Sequence, residues 1–150
     1  MDSNPAAADH RVGPNRNDPT VGKFWLAVSQ PGGAAKPSEL FRAARKRDPN
    51  AFLFPETVVN AFGYEQRQRG QHQDAFDLFK LNAEAYPASA NTQDSLADGY
   101  AALGQIDQAL AAEQKCLELL PADKVPDAFK AQVRAAAEEK IAKWKRDAGK

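Results

Sequence analysis

The chain holds a single cysteine, Cys116, so no disulfide can form within it. It has no apolar run near the roughly 20 residues that span a membrane. Met1-Asp2-Ser3-Asn4-Pro5 lacks the basic start and apolar stretch of a secretory signal, so a cytoplasmic protein is the simplest expectation. If the chain is a piece of a longer exported protein, that expectation shifts to a periplasmic or secreted one. The net charge is zero, which argues against a strongly basic nucleic-acid binder.

Catalytic and cofactor signatures are also missing. The two histidines, His10 and His72, have no Cys, His or carboxylate at metal-ligand spacing, and there is no His-Glu-x-x-His. Gly32-Gly33 lacks the rest of a phosphate-cradling motif, and neither a Gly-x-Ser-x-Gly elbow nor a Ser-x-x-Lys pair is present. The expectation is a chain without metal, cofactor or enzymatic activity of its own. Cys116 reads as a small buried residue rather than a reactive thiol.

What is present is a period. Gly70 recurs as Gly104, Ala75 as Ala109, Glu84 as Glu118 and Pro87 as Pro121, while Phe62 and Phe76 return as Leu96 and Leu110. Two gap-free units of 34 residues result, at about 56–89 and 90–123. Each unit divides at its glycine into two helices. Pro55 suits the start of a helix because its missing N–H costs nothing there, and Glu56 favours the positive end of the helix dipole. Helices are predicted over about 56–69, 72–85, 90–103 and 106–120.

The flanks are less regular. Residues 1–18, rich in Pro, Asn, Asp and Ala, read as a flexible tail or linker, with a helical domain over 19–150. Val21 to Val28 is apolar and short: a helix fits the company it keeps, and a strand remains open. Ser38 after Pro37 is a plausible N-cap for a helix to about Arg47. Phe41, Ala44 and Pro49 have the spacing of a half repeat, with an insertion near Ala51 to Phe54. A last helix is predicted over about 126–147, with Phe129, Val133, Ala137, Ile141 and Trp144 forming a stripe that covers the last unit.

Charge follows the same division. Residues 1–48 carry eight basic and five acidic side chains, residues 49–123 four and eleven, and residues 124–150 eight and four. Acidic repeats thus lie between basic flanks. Either the flanks neutralise the core, or an acidic groove awaits a basic partner. The basic clusters Arg42, Arg45, Lys46, Arg47 and Lys140, Lys143, Lys145, Arg146 read as solvated helix faces rather than a nucleic-acid surface.

These residues resemble the tetratricopeptide repeat family. Its pattern falls on Val59, Phe62-Gly63, Gln66, Ala75, Phe79 and Pro87, then on Gln93, Leu96-Ala97, Tyr100, Ala109, Glu113 and Pro121. Departures stand at Val59, Gln93 and Glu113. The resemblance implies an all-α fold of two full helix-turn-helix repeats, a half repeat before them and a C-terminal capping helix. It also implies an interaction or scaffold role, with a protein or peptide segment of basic or mixed polarity on the concave face. Thr57 and the partner-binding candidates Asn60, Tyr64, Arg67, Gln68, Asn91, Asp94 and Asp98 would line that face. Replacing Asp94 and Asp98 by lysine is then expected to abolish binding and leave helicity intact.

A narrower likeness runs through Asn60-Ala61-Phe62-Gly63-Tyr64, Phe79 to Pro87, Ser89-Ala90-Asn91 and Asp94-Ser95-Leu96-Ala97. It is similar to repeat tails of bacterial serine hydrolases, among them penicillin-binding-like esterases and α/β-hydrolases. This implies the alternative of an accessory or dimerisation domain, with Phe24, Trp25, Leu26 and Val28 filling the groove, and leaves a homodimer or an attached hydrolase domain open as partners.

Overall fold

Pro19 opens the first helix, α1 (Pro19–Ser29), and Asp18 caps it by accepting a hydrogen bond from the Thr20 backbone N–H at 2.8 Å. In the computed structural model, residues 18–30 and 34–149 are described. Residues 1–17 of the expected tail, His10 among them, and Gly32-Gly33 lie outside them. Six further helices follow: α2 (Ala35–Arg47), α3 (Glu56–Gln68), α4 (His72–Ala85), α5 (Ala90–Ala102), α6 (Ile106–Leu119) and α7 (Asp127–Ala148). One 3₁₀ turn, Leu120–Ala122, continues α6. The fold is all-α, with no strand among the described residues. None of these helices is long and apolar enough to cross a membrane.

The 34-residue period is a period of structure. The starts of α3 and α4, at 56 and 72, return at 90 and 106 as the starts of α5 and α6. Gly70 and Gly104 take the left-handed backbone conformation, with φ of 79° and 76°. This lets the N–H of Gln71 reach the Gln66 carbonyl, and that of Gln105 the Tyr100 carbonyl, both at 2.9 Å. Glycine adopts this conformation without the Cβ penalty, so the two turns stop their helices in the same way.

From α3 onward each helix packs on its chain neighbour, as α1 does on α2, and α3 also meets α5 and α5 meets α7. Close approach needs small residues. A Cβ on Gly63 would overlap the Phe79 ring, and one on Gly99 would sit 3.1 Å from it. Phe79, fully buried, thus fills the space between α3, α4 and α5.

At the N-terminal end the structure differs from a half repeat. Val21 to Val28 is helical, and α1 packs on α2 as a complete pair. Helix α2 begins at Ala35 rather than at Ser38: a helix accepts Pro37 in its first turn, where no N–H is needed, and the Ser38 N–H bonds the Ala34 carbonyl at 2.8 Å. The extra residues before α3 are a plug rather than a loop. Leu53 and Phe54 are buried, and the Phe54 ring stacks on Phe24 with centroids 4.8 Å apart. The Tyr86 hydroxyl donates to the Phe54 carbonyl. Arg45 lies over the Phe41 ring and donates to the Ala51 carbonyl at 2.7 Å. Phe24 therefore belongs to the core, while Leu26 is 63% exposed.

This arrangement separates the two residues energetically. Phe24→Ala is expected to cost about 3–5 kcal/mol in urea denaturation, as a buried ring is lost beside Phe54. Leu26→Ala, at an exposed site, is expected to stay within about 0.5 kcal/mol. Similar losses for both would place α1 off the core.

Candidate functional site

The acidic residues of α5 are covered. Asp94 and Asp98 lie one helical turn apart, and α7 brings the Lys140 ammonium to 2.8 Å from Asp94 Oδ1 and 3.0 Å from Asp98 Oδ1. A third carboxylate, Glu113 of α6, lies 3.4 Å from the same nitrogen and is fully buried. From the other side, the Tyr64 hydroxyl of α3 donates to Asp98 Oδ2 at 2.7 Å and lies 3.3 Å from Ser95 Oγ. Side chains from α3, α5, α6 and α7 thus form one polar seam.

The electrostatics are lopsided, with one ammonium serving three carboxyl groups. Burial disfavours the Lys140 cation, but the attraction of Asp94, and then of Asp98 and Glu113, prevails and holds its pKa above the ordinary lysine value. Glu113 moves the opposite way from a salt-bridged carboxylate. Burial first, and then the charge of Asp94, push its pKa well up against the pull of Lys140. Neither Glu113 oxygen has a hydrogen-bond partner. Burial and the neighbouring Asp98 charge likewise raise the Tyr64 phenol, which remains a donor.

The expectation of an open acidic face at Asp94 and Asp98 is therefore corrected: Lys140 occupies it. The double lysine replacement would crowd three ammonium groups into the seam, so it would disturb the α7 dock and not binding alone. Lys140 itself was expected on a solvated basic face with Lys143, Lys145 and Arg146. It lies instead on the stripe Val133, Ala137, Lys140, Trp144, whose steps of four, three and four keep one helix face toward α5 and α6. Of the other expected stripe members, Ile141 is half-buried and Phe129 is 38% exposed.

The remaining candidates separate. Tyr64 joins Asp94 and Asp98 in the seam. Asn60, half-buried on α3, has a side-chain oxygen shielded from water without a hydrogen-bond partner. Asn91 is half-buried near the start of α5, while Thr57, Arg67 and Gln68 are exposed on α3. Sequence reasoning missed Glu113 and Lys140. The signal for Glu113 was its register: it stands 34 residues after Phe79, the ring that fills the first unit.

A cleft lies between the end of α1 and the α3–α4 turn. Its volume is about 520 Å³. Val28, Phe62 and Leu78 give it apolar walls, and Glu65, Gln66 and Asp74 are among its polar ones. Arg69 also lines it and is paired with Glu65 at 2.6 Å. Among the described residues no group of three or more His, Cys, Asp or Glu is arranged to hold a metal ion. Cys116 is buried beside Val133 and Ala137, and burial pushes its thiol up to about 12, so the thiolate is suppressed at neutral pH.

The seam gives a stability prediction. Lys140→Met should cost about 3–5 kcal/mol, because it leaves Asp94 and Asp98 facing each other without a cation. Adding Asp94→Asn and Asp98→Asn should recover part of that loss. Chemical denaturation of the single and triple variants checks both signs, and a Lys140→Met protein as stable as wild type would refute the account. No family model matches this sequence, and no curated protein is significantly similar to it.

Proposed function

We propose that this chain is an interaction module of the tetratricopeptide repeat kind, which holds a segment of another polypeptide. The observation that carries this reading is the repeated helix pair: two units with the same helix starts, glycine turns and closing hydrogen bonds. Stacked pairs of this type offer extended surfaces built from successive helices.

The seam moves the proposed contact surface away from Asp94 and Asp98. Their charges are met within the chain, so a partner gains little from them. The exposed polar side chains of α3, Thr57, Arg67 and Gln68, and the adjoining cleft remain open. The apolar walls of Val28, Phe62 and Leu78 suit an apolar anchor, and the Asp74 carboxylate suits a basic flank.

Site-specific photo-crosslinking tests the reading. A photoreactive residue at Gln66 or Gln68 is expected to form adducts with a polypeptide, and one at Lys115, exposed on α6, is expected to form none. Equal labelling at all three positions, or no adduct at any, would overturn it.

A further inference from the structure

Glu113 is an unusual occupant of its position. Its counterpart in the first unit is the Phe79 ring, and both side chains are fully buried between the helices of their pair. The ring packs among alanine, leucine, glycine and aromatic rings, whereas the carboxyl meets the charges of Asp94 and Lys140. Asp94 faces it from α5 and Lys140 from α7, and Lys140 also holds Asp98 of α5. Cys116 lies one turn further along its own helix. Lys140 is closer to both aspartates than to Glu113, and its contact with Glu113 lacks the direction of a hydrogen bond.

One ammonium cannot balance three carboxylates in a half-buried cluster whose third member, Glu113, is fully buried, because the uncompensated negative charges would repel at low effective dielectric. The carboxyl that is deepest and furthest from the cation gives up its charge at least cost. We propose that the α5–α6–α7 seam is a proton-coupled latch: α7 is held on the second unit while the Glu113 carboxyl keeps its proton, and loosens when that proton is lost.

The direction follows from linkage. A carboxyl that binds its proton more tightly when folded contributes stability that is fully present below its ordinary value of 4.5. That contribution is lost as the pH rises toward and through the folded value. Lys140, also raised, keeps its contribution up to its ordinary value of 10.5 and so adds no slope in the neutral range. Glu56, half-buried between α3 and the start of α5, is raised by its own burial and adds a slope of the same sign, but not at α7.

Opening of α7 exposes the apolar surface of Ala97, Ala109, Ala112 and Cys116, now covered by Val133, Ala137 and Trp144. The transition is therefore a change in exposed surface as well as in charge, visible in the backbone amides of one helix.

Two measurements on the full chain test the latch. The first follows the Glu113 side-chain carboxyl by isotope-edited NMR in the wild-type protein, where it is expected to titrate well above the ordinary glutamate range. Titration within that range overturns the proposal without any variant being made. The second compares amide hydrogen exchange along α7 from about pH 6 to about pH 8, corrected for intrinsic exchange. The opening equilibrium should rise with pH in the wild type, by up to about tenfold per pH unit for one proton. Glu113→Gln, which mimics the neutral acid, should flatten that rise. A slope that persists in Glu113→Gln, or that appears in α1 and α2 in place of α7, overturns it.

Discussion

The burial of the Lys140 ammonium among Asp94, Asp98 and Glu113 ties the last helix to the second unit. A helix pair hides one face within itself and leaves the other needing a neighbour, so the two ends of a short stack decide whether it holds. Here the C-terminal end is closed by α7, and the position of α7 is set by Lys140 between an apolar half, Val133 and Ala137, and Trp144. Without the carboxylates, the ammonium could not lie on that face. Without the ammonium, Asp94 and Asp98 could not lie under a helix.

The other end is closed by different chemistry. At α1 and α2 the contacts are rings: Phe24 on Phe54, Phe41 near Phe54, and Trp25 toward Phe62. The polar link between α2 and α4, Arg42 to Glu84 with two contacts of 2.9 Å, is exposed and adds about 1 kcal/mol at most. The N-terminal cap thus has the pH-insensitive character of apolar packing, and the C-terminal cap carries the titratable groups. The acidic middle and basic tail visible in the composition meet in part through one lysine, which places the flank-to-core reading of the charge pattern at a specific atom.

Helix positions were legible to within a residue or two wherever the period operated. The reason is local, since Gly70, Gly104 and the prolines at 55, 87 and 121 act through backbone geometry that the sequence states directly. The plug at Leu53 and Phe54 was not legible, because an insertion in a repeat reads as a loop until one knows what its side chains meet. Lys140 was read as solvent-facing because a lysine on a helix usually is. The choice between Lys140 and Ile141 for the stripe turned on a single residue of phase, which only the partner helices decide. Glu113 could be located by register, but its neutral form depends on how many carboxylates share one cation, a three-dimensional count. The surface candidates on α3 could be placed by their helix, whereas what they bind is written in a partner and not in this chain.

The two units share one backbone plan, and the side chains that meet α7 tell them apart. The first-unit counterparts of Asp94, Asp98 and Glu113 are Asn60, Tyr64 and Phe79, none of them anionic at neutral pH. The apolar surface differs as well: Ala112, clustered with Trp144, and Cys116, clustered with Val133 and Ala137, stand at the positions of Leu78 and Asn82 in the first unit. The last helix is therefore matched to the second unit by charge and by shape together, and its place in the stack is encoded in Asp94, Asp98 and the small residues around them.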